Sequence, residues 1–443
     1  MPGADRAAPG APGVRRFGRL FRTTFDSLGV RNYRLYFAGQ VISVSGSWMQ
    51  RVAQAWLVLH LSGSGFALGV VTGLQFLPVL LAGPWGGLLA DRVDKRRLLM
   101  WTQAGMGLLA LLLGVLTVTG AVRLWEVYGL ALGLGCLTAA DNPARQSFVM
   151  EMVGRQQVMN AVSLNSAVFT SARIVGPAVA GLLINVVGTG WCFVVNGLSF
   201  AAAIAALALM RRQELRPTSP SSRGPGQVRA GLSYAWSRLE LRVPLLLMAV
   251  VGTLALNFSV VLPLMASETF HGNAGTYGLL FSTLGAGSLA GALFTAGRRQ
   301  PSRRLLLLAM LGFGALMLAA AAAPSFWIEL AVLLPLGVAT IAFQATSNSM
   351  LQVNSDPALR GRVMALYGVV FMGTTPIGAP IVGLVSERFG PRAGLALGGV
   401  AILIALAAFS LWSALRERRA GDPGPGPEEN KDRAGIAGPV LRG

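Results

Sequence analysis

Two arginines stand deep inside runs of apolar residues, Arg51 within 34–60 and Arg173 within 158–185. If each run is a helix, both guanidinium groups lie roughly 20–25 Å of helix rise from its arginine-rich end. Charge at that depth in lipid is costly and is tolerated where it faces a water-filled cavity or a partner inside the bundle. No acid sits at comparable depth, because Glu126, Glu268 and Glu329 map to the ends of their runs. Two chemistries stay open. The arginines can attract an anionic group of a bound compound, or they can bond to helix carbonyls and to polar neighbours such as Gln54, Asn165 and Asn196. Gln54, Asn165 and Asn257 join Arg51 and Arg173 as candidates to line a substrate pathway.

A second cluster occupies the turn after the second apolar run, where Gly86 and Gly87 precede Asp91, Arg92, Asp94, Lys95, Arg96 and Arg97. Basic residues alone would hold such a loop on one side of a membrane. The acids ask for more, since a carboxylate at a helix end is buried only with a partner. Arg92 and Lys95 can supply one for Asp91, and Asp141, followed by Arg145, is the second acid expected to join them. A latch and a plain topology signal are the two readings. The glycines would let helices approach closely.

Several chemistries are excluded. Lysine occurs only as Lys95 and Lys431, so no phosphate loop ends in Gly-Lys-Ser/Thr, and neither a His-Glu-x-x-His motif nor a nucleophile elbow is present. Cys136 and Cys192 fall inside apolar runs and His60 and His271 are isolated, so no metal site, disulfide framework or cofactor is expected. An enzyme or an ATP-driven pump has nothing to work with.

These residues need membrane helices to position them. The chain has 443 residues, 53% hydrophobic and 12% charged, far below the roughly 25% charged of soluble domains. With about 20 apolar residues per crossing, spans are expected at 34–60, 66–90, 98–119, 123–146, 158–185, 190–210, 243–267, 275–296, 304–323, 326–349, 361–386 and 392–415. The fold class is thus an all-α membrane protein of twelve transmembrane helices in two six-helix bundles, 34–210 and 243–415. A basic tail (1–33), a linker carrying an interfacial helix (211–242) and a disordered tail (416–443) complete it. The basic tail lacks the early apolar region of a cleavable signal. Leu232, Trp236 and Leu239 recur at helical spacing among arginines, as in a helix lying on an anionic leaflet.

Arginine placement orients the bundle. Arg15, Arg16, Arg19, Arg22, Arg31 and Arg34 precede the first span, and Arg298, Arg299, Arg303, Arg304, Arg360, Arg362 and Arg416 follow even-numbered ones. The opposite side holds only Arg123, Arg388 and Arg392. By the positive-inside rule both termini and the linker are cytoplasmic, in a plasma (inner) membrane. The net charge of +19 therefore belongs to topology, and no nucleic-acid partner is expected.

The halves repeat at an offset of about 206 residues: Gly46 meets Gly252, Arg96-Arg97 meets Arg303-Arg304, and Asn142 meets Asn348. Parallel six-helix repeats are a design of secondary transporters.

The stretch Gly87-x-Leu89-Ala90-Asp91-Arg92-x-x-Lys95-Arg96-Arg97 resembles motif A of the major facilitator superfamily, with Asp94 where the general pattern has glycine. Gly176, Pro177 and Gly181 resemble the motif C signature of drug–proton antiporters, and Pro380 and Gly383 are their counterparts in the second half; simple close packing of helices is one reading, and the symmetric placement favours a pair of helix bends at the domain interface. Asn32-Tyr33-Arg34-Leu35-Tyr36, Gly46-Ser47-Trp48-Met49-Gln50, Asp141-Asn142-Pro143-Ala144-Arg145-Gln146 and Arg360-Gly361-Arg362-Val363-Met364-Ala365 are similar to the subfamily that includes the enterobactin exporter and related efflux permeases. The resemblance covers Asn32 to Leu415. It implies a gating network of Gly87, Asp91, Arg92, Lys95, Arg96, Asp141 and Arg145 that latches the outward-facing state. It also implies a monomer that exports a small amphiphilic or anionic compound against protons by alternating access. An importer on the same fold is the alternative, and a non-transporting receptor a remote one.

Overall fold

The computed structural model describes residues 25–216, 227–296, 301–357 and 359–420. The basic tail up to residue 24, linker residues 217–226, Arg298 and Arg299, and the tail from residue 421 lie outside the described residues. Among those described, every regular element is helical. The main helices are α1 (Arg31–Ser62), α2 (Gly65–Arg92), α3 (Lys95–Val118), α4 (Leu124–Val187), α5 (Thr189–Ala208), α6 (Gln227–Ser237), α7 (Leu239–Leu254) and α8 (Phe258–Leu264). They continue as α9 (Ala274–Ala296), α10 (Arg303–Ala322), α11 (Phe326–Asn354), α12 (Arg360–Gly373), α13 (Thr375–Phe389) and α14 (Pro391–Ala420).

Local chemistry explains the boundaries. Ser64, Asp94, Ser302 and Ser325 accept backbone N–H groups at the starts of α2, α3, α10 and α11, which satisfies donors that helix geometry leaves open. Gly63, at φ 61°, ends α1 in the left-handed conformation that costs glycine nothing.

Ten stretches among the described residues are long and apolar enough to cross a membrane. The two expected spans missing from that set are α1 and the first part of α4. Both carry the polar side chains that matter here: Gln40, Gln50, Arg51 and Gln54 on the former, Asp141, Arg145 and Glu151 on the latter. Polar side chains lower the hydropathy of both stretches.

Three details depart from straight helices. The expected fourth and fifth spans run together as α4, interrupted at Gly154, whose φ of 73° is open to glycine alone at little cost. The seventh breaks at Asn257, whose side-chain amide donates to Thr253 O at 2.7 Å and satisfies a carbonyl freed by the break. The eleventh breaks between α12 and α13 at Thr374, just before Pro376. Pro177 and Pro380 both lie inside continuous helices, and the three interruptions fall at other positions.

The sequence repeat reappears in packing. In the first half α2 packs on α4 and α3 on α5; in the second, α9 packs on α11 and α10 on α14. The halves meet through two equivalent crossings, α2 with α13 and α4 with α9. Those crossings are tight away from the side where α1 begins and α14 ends. A Cβ on Gly69 would lie 2.7 Å from Ala379 C, one on Gly181 2.9 Å from Ala274 O, and one on Gly278 2.5 Å from Pro177 O. Backbone-to-backbone approach of this kind is how small residues bind membrane helices together. Across the same side, Ser64 Oγ and Phe66 N donate to Glu387 at 2.5 and 2.9 Å. Toward the terminal side, by contrast, α4 presents exposed Met159, Ser163 and Ser166.

Candidate functional site

The two deep arginines share one indole. Arg51 Cζ lies 4.5 Å from the Trp48 ring centroid and Arg173 Cζ 5.9 Å from it. Trp48 also approaches Phe281 of α9, with centroids 5.9 Å apart. Gly176 makes this arrangement possible, because a Cβ there would lie 2.6 Å from Trp48 Cβ. Motif C thus seats the aromatic against which both cations rest, at the meeting point of α1, α4 and α9.

Neither arginine is neutralised. Among the described residues no carboxylate lies within ion-pair distance of either. Arg173 Nε is buried without a hydrogen-bond partner, while Arg51 is exposed. Polar neighbours spend their capacity elsewhere: Asn196 donates to Gln50 at 2.5 Å and accepts from Ser199 at 3.0 Å. Gln54 is buried three residues beyond Arg51, Asn165 is half-buried on α4, and Asn257 is buried at its helix break. A cation over an aromatic face gains roughly 0.5–2 kcal/mol, which orients a guanidinium without cancelling its charge. The pair therefore forms an anion-attracting spot with an aromatic floor.

The described residues of the motif A region and its expected partners fall into two networks inside the first half. In one, Asp141 accepts Arg145 at 2.5 and 3.0 Å, Thr102 at 2.7 Å and Gln103 at 2.9 Å, while Arg145 also donates to Gln40. In the other, Lys95 Nζ donates to Glu151 at 2.6 Å, with both side chains only 9% exposed. Glu151 is an acid that the sequence pattern did not single out. It lies on α4 before the interruption at Gly154, where α4 packs on α3, and its carbonyl accepts Arg216 N. Arg96 donates to Leu207 O and Ala208 O, closing the end of α5. Arg92 is exposed, and the side chain of Asp91, with Gly87 beside it, lies outside the described residues. Asp94 accepts Arg97 N as the cap of α3, which gives the departure from motif A a structural purpose. Among the described residues Lys95 pairs with Glu151 and Asp141 with Arg145, the latter a member of the expected network.

Removing one member of a buried ion pair costs about 3–5 kcal/mol, because the other charge is stranded. Glu151→Gln is accordingly expected to lower thermal stability in detergent steeply, and a Lys95→Met, Glu151→Leu double substitution to recover most of the loss. A double variant as unstable as the single one would mean that Lys95 and Glu151 do not act as a pair.

Glu329 also departs from expectation. It sits in the first turn of α11, at the helix end as expected, yet it is fully buried and neither carboxyl oxygen has a hydrogen-bond partner. Arg392 acts on it from the start of α14 but donates instead to Ala323 O at 2.7 Å.

The profile of the family described as transmembrane secretion effector matches residues 22–431. The chain belongs to that family of the major facilitator superfamily. It is 24% identical to the staphyloferrin A transporter of Staphylococcus aureus over 59% of this chain and 66% of that one. It is 28% identical to the multidrug efflux pump Tap of Mycobacterium tuberculosis over 85% and 92%. Among solved structures, a bacterial homologue of the lysosomal transporter Spinster, in an inward-facing, occupied conformation, superposes with a TM-score of 0.68 at 15% identity, covering 91% and 98% of the two chains. This family member is a multi-pass membrane transporter, not an enzyme.

Proposed function

We propose that this transporter exports a small amphiphilic, anionic compound in exchange for protons, by alternating access between two six-helix bundles of twelve spans. The observation that carries this reading is the uncompensated Arg51–Trp48–Arg173 cluster where the halves meet, with Arg51 exposed. A cationic spot on an aromatic floor suits a ligand that joins a negative group to an apolar or ring-bearing body. The efflux and siderophore transporters among its relatives support a cargo of that kind.

The positive-inside distribution supports cytoplasmic termini in a bacterial plasma membrane. In that orientation the tight α2–α13 and α4–α9 crossings close the outer side, and the conformation is inward-open. Both halves that meet around Arg51 and Arg173 belong to one chain, which supports a monomer as the working unit. For proton coupling the fitting group is Glu329: a buried carboxylate without partners is costly, and a bound proton removes its charge.

Transport into inside-out vesicles tests both parts. A panel of anionic amphiphiles and their neutral esters should show uptake of the anions that a protonophore abolishes. Glu329→Gln should leave downhill movement intact while removing its dependence on the pH gradient. Uptake indifferent to the protonophore would overturn proton coupling, and preference for the esters would overturn the anionic cargo.

A further inference from the structure

The flank where the linker rejoins the second half carries a feature unrelated to the central site. Helix α6 docks beside α12: a Cβ on Gly231 would lie 2.9 Å from Arg362 Cβ, and Tyr234 Oη accepts Asp356 N at 2.9 Å. This contact uses one face of α6 and leaves Leu232 and Trp236, one turn apart, exposed on another. Between Trp236, the first turns of α7 and the last turns of α14 runs an open groove of about 400 Å³. Leu239, Val243, Phe409 and Trp412 give it apolar walls, and Arg242 gives it its charge.

The groove has a basic rim. Arg242 has no carboxylate within ion-pair distance among the described residues, and Glu240, two residues away, is exposed and forms no ion pair there. Arg303, at the start of α10, places its Cζ 5.1 Å from the ring centroid of Phe409, on the groove wall. Arg238 stands over Tyr234 at 5.0 Å. Apolar walls topped by guanidinium groups and tryptophans, at the ends of membrane helices, match an acyl chain joined to an anionic headgroup. A basic pocket between helices on the cytoplasmic side is a recognised form of lipid site.

We infer that this groove binds one anionic phospholipid of the inner leaflet, with an acyl chain against Phe409 and Val243 and its phosphate between Arg242 and Arg303. The assignment to the inner leaflet rests on the orientation proposed above; the selectivity for anionic lipid does not. A lipid held there bridges α6, α7 and α14, and so ties the linker to the second half.

Brominated lipids quench tryptophan on contact, and nanodiscs expose both leaflets, so the full chain in nanodiscs reads selectivity independently of orientation. At equal mole fraction, brominated phosphatidylglycerol should outcompete brominated phosphatidylcholine roughly five-fold for the signal lost in a Trp236→Phe, Trp412→Phe variant, since each basic residue near the surface adds several-fold attraction. Arg242→Gln and Arg303→Gln should each erase most of that preference, while Arg304→Gln, one residue off the groove, should leave it. Equal quenching by both lipids would overturn the anionic assignment. A preference unchanged by Arg242→Gln would overturn the site, and quenching by neither would mean that protein covers the groove. Protease cleavage of the linker in oriented vesicles checks the leaflet separately, so an inverted topology would move the site without removing it.

Discussion

Gly69→Leu is expected to abolish transport while the protein reaches the membrane in normal amount. Gly69 faces α13 at the crossing where the halves close, and even a Cβ would sit 2.7 Å from Ala379 C and Pro380 Cα. Backbone cannot swing aside as a side chain can, so a leucine there penalises the closed outer side by about 3 kcal/mol. That is roughly a hundredfold shift in a two-state population, against a conformation in which α2 and α13 have separated and the leucine costs little. The matched control is Gly129→Leu, where a Cβ meets nothing within 4 Å. The readout is Ser166→Cys on the exposed face of α4, in a chain freed of Cys136 and Cys192. Thiol reagents applied from the cytoplasmic side should label it in the Gly129→Leu chain and at least tenfold more slowly in the Gly69→Leu chain. Equal labelling rates would mean that the α2–α13 crossing does not govern access.

What could be read from sequence divides by physical cause. Charges inside apolar runs announce themselves, so Arg51 and Arg173 were visible at once, and the repeat at about 206 residues foreshadowed the equivalent crossings that join the halves. Trp48 and Phe281 were not visible as part of the site, because an aromatic in a membrane helix looks the same whether it faces lipid, core or cavity. Glu151 meets Lys95 from a neighbouring helix, 56 positions along the chain, a pairing that no local pattern reports. Glu329 was placed correctly along its helix, but depth along an axis does not determine burial around it. Asp94 has the residue type and spacing of a helix cap, three residues before the Arg97 N–H that it accepts. At motif C the packing role is legible in residue type, since small residues mark close approach: Gly176 meets α1, and Gly181 and Pro177 O meet α9.

The same close approach fixes what removing either central arginine should do. Arg51→Gln and Arg173→Gln are each expected to weaken an anionic cargo about ten- to hundredfold, the value of one hydrogen bond to a charged group. A purely structural arginine would also lower transport when replaced, so the decisive comparison is between an anionic compound and its neutral methyl ester in the same vesicles. If the guanidinium groups hold the anion, the ester loses nothing and the ratio of the two collapses. If they only brace Trp48 against Phe281, both compounds fall together, and Trp48→Phe reproduces the effect. Lysine separates the two arginines further. At exposed Arg51 a lysine keeps the charge and should retain a good part of anion selectivity. At Arg173 the Nε is buried with no partner, and a lysine has neither the planar fork nor the reach across Trp48 to replace it. Arg173→Lys should therefore behave like Arg173→Gln, and full activity in that variant would remove Arg173 from the site and leave Arg51 to bind the anion alone.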